Sequence, residues 1–383
     1  IGAGPGGLAV AAALGERGVR ALVVDRAADV GSSWRNHYER LHLHTPRRWS
    51  GLPGYPIPRR FGRWVARDDV VRYLEEYVEH HGIRLRLGTA VTRVERARDS
   101  ATADPAATTA RWVVRVEDGT TTTADHVVIA TGYNHTPVTP DWPGLDGFTG
   151  DLVLARDYRN GRPFAGRDVL VVGTGNTGTE IATDLAEHGA TRVWLAVRTP
   201  PHIIRRDMLG WPAQGTGILV RRLPPTLVDR VAHGLSAVQE PDLSDHGMPR
   251  AAPGLYSRVL QGRVPVQDVG IVDAIRSRRV EPVAAVESFD GDEVVLSDGT
   301  RLEPDAVLVA AGYRADLEPL VGDLGVLDGR GLPVVHGAHE PAGASGLWFT
   351  GFTNPISGML RELRLDGERI ASSIARSDKA LEE

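Results

Sequence analysis

Gly173, Gly175 and Gly178 fall at the spacing G-x-G-x-x-G, and the chemistry this spacing serves is the holding of a pyrophosphate. They stand in the stretch DVLVVGTGNTGTEIATDLAEHGATRVWLAVR, Asp168 to Arg198. In this pattern the first glycine permits a tight turn and the second lets the backbone approach the phosphates. The third lets a helix pack closely on a strand. Thr174, Asn176 and Thr177 fill the positions between and belong to the same candidate site. Free N–H groups at a helix start, with the positive end of its dipole, attract the anion. The motif carries weight only between a strand and a helix, and both are expected here. Val169–Val172 is an apolar, β-branched run that reads as a buried parallel strand. Ile181, Leu185 and Ala186 follow at helical spacing, Gly189 stops the helix, and Val193–Val197 reads as the next strand.

The same pattern opens the chain, on Gly2, Gly4 and Gly7 with Pro5 and Gly6 between. Leu8–Leu14 continues as a helix, Gly18 ends it, and Ala21–Val24 is a strand that reaches Asp25. The residue at that strand end identifies the nucleotide. An acid accepts from ribose hydroxyls, whereas an arginine accommodates a 2′-phosphate. Asp25 is such an acid, and Arg26 beside it joins the candidate set. With Gly18 aligned on Gly189, the place of Asp25 falls at Ala196, and Arg198-Thr199 follow at once. The pairing reads as FAD on the first fingerprint and NADPH on the second.

The elements that must position these sites form an α/β chain with two Rossmann-like dinucleotide-binding domains, the NADPH domain inserted in the FAD domain. The expected division is 1–150 for the first part of the FAD domain and 151–163 for a linker. Residues 164–288 then form the NADPH domain, with an irregular insertion over 205–269, and 289–383 the second part of the FAD domain. An internal repeat supports the insertion. Val127–Tyr133, VVIATGY, returns as Val307–Tyr313, VLVAAGY, each after an Asp-Gly-Thr turn at the same spacing. That suggests two equivalent chain crossings. Val30–Pro58 is a long loop rich in Gly, Pro and aromatics, a length that usually signals function. Asp68–His81 reads as an amphipathic helix with Asp68 as N-cap; Ile83–Leu87 and Ala90–Glu95 read as strands. Arg98–Thr109 reads as a hairpin tip, and Leu227–Val238 as a helix within the insertion. The insertion is expected to cover the cleft, though a passive surface excursion is equally compatible. The last stretch, Gly346–Ala375, reads as a strand, a turn and a helix from about Gly358, whose N–H groups could face the pyrimidine end of a flavin.

Composition narrows the classes. The chain has 383 residues and a formal net charge of −5, so no basic field recruits nucleic acid. It has no cysteine, which excludes a disulfide, a thiolate metal site and a redox dithiol. Thirteen histidines show no metal-ligand spacing, and no metal is expected. No apolar run approaches a membrane span. The expectation is a cytoplasmic protein; a homodimer is compatible with the sequence.

The chain resembles the class B flavin-dependent monooxygenases, most of all the branch of the flavin-containing monooxygenases and the YUCCA-type indole-pyruvate monooxygenases. The similarity runs through GAGPGGLAVAAAL at Gly2–Leu14, YERLHLHTPRR at Tyr38–Arg48, VVIATGY, VLVVGTGNTGTEIATDL, VPVQDVGIVDAIRSRRV at Val264–Val280 and VLVAAGYRAD. A linker signature of the family, F-x-G-x-x-x-H-x-x-x-Y, appears as Phe148, Gly150 and Tyr158, with Leu154 in place of the histidine. The resemblance implies that NADPH reduces FAD and that O₂ adds at flavin C4a. The resulting (hydro)peroxide gives one oxygen atom to a nitrogen, a sulfur or a keto carbon of a small organic substrate. It implies that Ser33, Trp34, His44 and Thr45 lie by the isoalloxazine, with His44 the candidate catalytic residue. Val91, Thr131 and Gly132 complete the cofactor-binding set. Two other readings stay open at this point: an FAD-dependent NAD(P)H reductase serving a protein or quinone, and a flavoprotein that binds without turnover.

Overall fold

The computed structural model describes residues 1–97, 110–208, 210–221, 223–230, 234 and 240–382. Residues 1–3, outside any assigned strand, bridge two parallel strand pairs by backbone hydrogen bonds. On one side the Gly2 N–H donates to Val24 O at 2.8 Å. Val24 ends the strand Leu22–Val24, which pairs in parallel with Arg84–Arg86. On the other side the Ile1 amino group donates to Val128 O at 2.7 Å. Val128 lies in Val127–Ile129, which pairs in parallel with Leu347–Phe349. The helix Pro5–Gly15 is buried along nearly its whole length. It packs Val10, Ala13 and Leu14 against Ile370, Ala371 and Ile374 of the long helix Met359–Glu382. Gly367 allows that crossing: a Cβ there would come within 3.0 Å of the Ala9 backbone.

The second fingerprint has its own sheet of five parallel strands. Their order is Glu281–Ala284, Arg192–Val197, Asp168–Val172, Ala306–Val309 and Asp151–Leu154. Two antiparallel ribbons mirror each other. Val91–Arg96, Trp112–Val116 and Thr121–Ala124 precede Val127–Ile129. Val286–Asp290, Glu293–Leu296 and Arg301–Leu302 precede Ala306–Val309. The repeated motif is therefore a repeated module. The chain leaves the first module at Thr136–Pro137 and returns at Tyr313–Arg314, and these two crossings pair with each other.

The expected domain limits need correction on two points. Asp151–Leu154 is an edge strand of the second sheet, not linker. Residues 289–309 also belong to the second module, because Ala306–Val309 sits between Asp168–Val172 and Asp151–Leu154. The long helix runs Arg67–His81 with Ala66 as N-cap. Asp68 is thus in the first turn, where its charge still suits the dipole. The proposed hairpin tip Arg98–Thr109 lies outside the described residues. Of the expected helix Leu227–Val238, residues 227–230 and 234 are helical, and 231–233 and 235–238 lie outside the description.

Candidate active site

The two fingerprints work by the same mechanics. Gly2 has φ +111°, and a Cβ there would lie 2.4 Å from Ala130 O; Gly173 has φ +122°, and its Cβ would lie 2.3 Å from Ala310 O. Ala130 and Ala310 are the equivalent alanines of the repeated motif, so the repeat exists to back each first glycine. A Cβ on Gly7 would stand 1.9 Å from Gly2 O, and one on Gly178 would stand 1.9 Å from Gly173 O. Helix and turn can touch there only through glycine. By contrast, a Cβ on Gly4 or on Gly175 would meet no protein atom within 4 Å. Each middle glycine borders an open cradle in front of a helix start, the shape a pyrophosphate requires.

The first cradle opens into a cavity of about 1330 Å³. Gly2, Gly4, Pro5, Gly6, Asp25, Arg26, Ser33, Trp34, His44, Thr45, Val91, Thr131 and Gly132 line it, and Asn176 and Thr177 reach it from the second module. Gly7, Gly173, Thr174, Gly175, Gly178, Arg198 and Thr199 do not line it. Asp25 is held by its own module. Ala3 N–H donates to Oδ2 at 2.6 Å, and Ala27 N–H to Oδ1 at 2.8 Å. Gly358, Met359 and Leu360, at the start of Met359–Glu382, also line the cavity. That puts a helix start against the cavity, as expected.

Arg198 and Thr199 lie just past the strand Arg192–Val197 and are exposed. Register pairs Ala196 with Val172, the residue before Gly173. Arg198 therefore stands beside the second fingerprint, to which Thr199 is tied: Thr174 Oγ1 donates to Thr199 O at 3.2 Å. Among the described residues Arg198 has no ion pair.

Sequence reasoning missed the carboxylates of the second-fingerprint helix, Asn176–Glu187. Glu180 and Asp184 are buried, together with Thr179 and Thr183. Asp184 Oδ2 accepts from Tyr158 Oη at 2.6 Å and from Gly161 N–H at 2.9 Å. Glu180 Oε1 lies 3.0 Å from His44 Nε2. Burial first, then the Glu180 charge, holds the Tyr38 hydroxyl well above the usual phenol range, Thr177 and Arg40 opposing. Burial likewise lowers the His37 imidazole, Glu180 opposing and Arg159 and Arg67 assisting. The signal was legible only as two acids four apart, inside a helix whose other faces were assigned to packing and phosphate.

The insertion lies over the cavity. Its strand Ile203–Arg205 pairs with Val266–Asp268, so it leaves and returns at neighbouring points. A Cβ on Gly217, in helix Ala213–Val220, would fall 2.5 Å from Ile356 O, and Gln214 Nε2 donates to Ser357 O at 2.6 Å. Arg221 pairs with Glu362 at 2.9 Å. These contacts fasten the insertion to the loop before Met359–Glu382 and to that helix's first turn, which favours the cover over the passive excursion. Leu154 packs with the apolar cluster around Trp142, Leu170 and Phe289 and does not line the cavity.

The family model described as flavin-binding monooxygenase-like matches residues 1–324. The chain belongs to that family. It is 37% identical over 357 residues to the rice (Oryza sativa subsp. japonica) indole-3-pyruvate monooxygenase YUCCA1, covering 92% of this chain and 86% of that protein. Its fold resembles a flavin-containing monooxygenase from Stenotrophomonas maltophilia, with a TM-score of 0.70 at 24% identity, over 98% of this chain and 97% of that one. It also resembles cyclohexanone monooxygenase, with a TM-score of 0.72 at 19% identity, over 99% of this chain and 87% of that one. The protein is an FAD- and NADPH-dependent monooxygenase, and the reductase reading is not favoured. Both open cradles fit these cofactors. When bound, FAD supplies hydride acceptance and O₂ activation; the chain's residues orient the partners and exclude water. No helix among the described residues is long and apolar enough to cross a membrane.

Proposed function

We propose that this monooxygenase oxygenates the keto carbon of an aryl-substituted 2-oxo acid, with indole-3-pyruvate as the substrate to test first. The observation that carries this reading is the 37% identity with the rice indole-3-pyruvate monooxygenase across 92% of the chain. The cavity is compatible with it. Trp34 and Trp211 offer aromatic walls, and Arg205 lines the cavity without an ion pair among the described residues, as a carboxylate partner would. The balanced reaction is RCOCOOH + O₂ + NADPH + H⁺ → RCOOH + CO₂ + H₂O + NADP⁺. In the same proposal Gly2, Gly4, Pro5, Gly6, Gly7, Asp25 and Arg26 hold the FAD pyrophosphate and ribose. Ser33, Trp34, His44, Thr45, Val91, Thr131 and Gly132 surround the flavin, with His44 the polar group nearest the reaction. Gly173 to Gly178, Arg198 and Thr199 take NADPH. Work in the cytoplasm, where NADPH is regenerated, suits this chemistry.

The test supplies indole-3-pyruvate, NADPH and ¹⁸O₂ to the purified holoenzyme. Substrate-dependent NADPH oxidation, CO₂ release and one ¹⁸O in the shortened acid are expected. Oxygenation of an amine or a sulfide, with no turnover of any 2-oxo acid, would overturn the substrate and keep the enzyme class.

A further inference from the structure

We propose that Glu180 is the positioning residue for His44, and that it ties His44 to the helix that carries the second fingerprint. The inference rests on the reading of His44 as a cavity-wall group.

Glu180 is 3% exposed, and among the described residues no arginine or lysine pairs with it. A carboxylate so placed is costly unless donors surround it. The groups nearest to it come from the other module. The Glu180 charge acts on the hydroxyl of Tyr38, which is 2% exposed, and His44 Nε2 stands 3.0 Å from Oε1. The latter contact is close but poorly aligned, and Oε1 and His44 Nδ1 are both buried without a hydrogen-bond partner. A small rotation of the ring costs less than a bare carboxylate oxygen, so the pair is the natural one. His37 and Arg206 act on the same carboxylate through charge alone.

The cluster has direction. Thr177 and His44 both line the cavity, and buried Glu180, one turn on from Thr177 in the same helix, faces His44. Thr177 is the second residue of the helix Asn176–Glu187, at the phosphate-binding end. A shift of that helix start on coenzyme binding therefore moves the carboxylate against which His44 is set. An Nε2–H donated to Glu180 also fixes the ring tautomer, as a carboxylate does for other histidines. Glu180 never touches the reacting atoms in this scheme; it acts through His44.

The experiment uses FAD-loaded protein labelled with ¹⁵N-histidine, His44 being assigned from the signal lost in His44→Ala. In the wild type His44 should be the Nε2–H tautomer, and saturating NADP⁺ should shift its ring nitrogens. In Glu180→Gln the tautomer should become mixed and the NADP⁺ shift should fall at least twofold. A wild-type Nδ1–H tautomer, or signals indifferent to Glu180→Gln, would overturn the proposal. This arm needs no turnover, so it stands even if His44 proves unimportant for activity. The second arm measures H₂O₂ formed per NADPH consumed. Glu180→Gln should raise the ratio about threefold in the wild type and add nothing in the His44→Ala background. Equal increments in both backgrounds would mean that Glu180 acts independently of His44, which also overturns it.

Discussion

Two substitutions three residues apart should behave in opposite ways. Gly175 has φ −79° and ψ 178°, which alanine adopts freely. Its new Cβ would meet no protein atom within 4 Å. The loss of unfolded-chain freedom favours alanine by about 0.4–1 kcal/mol. Alanine is a poorer N-cap than glycine by a similar amount, so the two nearly cancel. Gly175→Ala should therefore leave the melting temperature within roughly 2–4 °C of wild type. The added methyl stands in the cradle, however, where it holds the pyrophosphate away from the helix N–H groups. Losing one charge-assisted hydrogen bond, worth about 1.5–3 kcal/mol, predicts a KM for NADPH raised by about 10- to 100-fold. FAD content should be unchanged, because the first cradle is built from other residues. Gly178→Ala would put a Cβ 1.9 Å from Gly173 O, which nothing but backbone displacement relieves. That variant should be insoluble or melt well below wild type. The assays are thermal melting, flavin absorbance and steady-state kinetics. Unchanged KM for NADPH in a folded Gly175→Ala protein, or a wild-type melt for Gly178→Ala, would refute the assignment of cradle and clamp.

Arg198→Ala should raise the KM for NADPH about 10- to 100-fold and leave NADH nearly untouched, since one charge-assisted contact to the 2′-phosphate is lost; equal losses with both coenzymes would return Arg198 to the fold. Tyr158→Phe removes a donor from buried Asp184, which keeps the Gly161 N–H. It should cost about 1–3 kcal/mol, read as a melting temperature lower by several degrees with the KM for NADPH little changed. Asp366 tests pH linkage. Burial raises its pKa above 3.8, His336 and Arg369 opposing and Glu362 adding. The folded state therefore prefers the neutral acid, and the stability this gives is full below 3.8 and lost as pH rises through the folded value. Asp366→Asn should melt above wild type at about pH 7.5, and that margin should shrink on going to about pH 4.5; a margin independent of pH would contradict the burial argument.

The glycine fingerprints and the repeat were legible because each is local. Each fingerprint is a fixed short spacing whose clamp is local, Gly7 against Gly2 O and Gly178 against Gly173 O, although the backing of Gly2 and Gly173 by Ala130 and Ala310 is long-range. Even the two chain crossings could be read, since VVIATGY and VLVAAGY announce them. The module boundary at 288/289 was misjudged because strand Ala306–Val309 owes its place to pairing with Asp168–Val172, more than 130 residues earlier. No local pattern carries a pairing of that separation. The residue type of Asp68 suggests a cap, but the cap is Ala66, two residues sooner, and the helix begins at Arg67. Glu180 and Asp184 escaped notice for a different reason. Their partners, Tyr38, His44 and Tyr158, lie in loops whose approach only the folded chain defines.

Those two carboxylates also explain why the fingerprint helices, alike at their first turns, diverge afterwards. Pro5–Gly15 is apolar to its end, because it packs on Met359–Glu382 within one module. Asn176–Glu187 instead buries Thr179, Glu180, Thr183 and Asp184. The face so equipped meets the loop from the first module. Tyr38 and His44 approach Glu180, while Arg40 pairs with Glu187 and donates to Val269 O at 2.7 Å. Tyr38 and Leu41 also enter the apolar core of the second module beside Ile181 and Leu185. Apolar packing alone would hold the two modules together with little preference for register. Buried carboxylates demand particular donors at particular places, and a misplaced donor leaves a charge bare. Hydride transfer between cofactors held by two modules needs that register, because misplacement by about 1 Å can cost about a hundredfold in rate. The polar face of the second helix is thus the feature that adapts a repeated nucleotide-binding module to its place opposite the first.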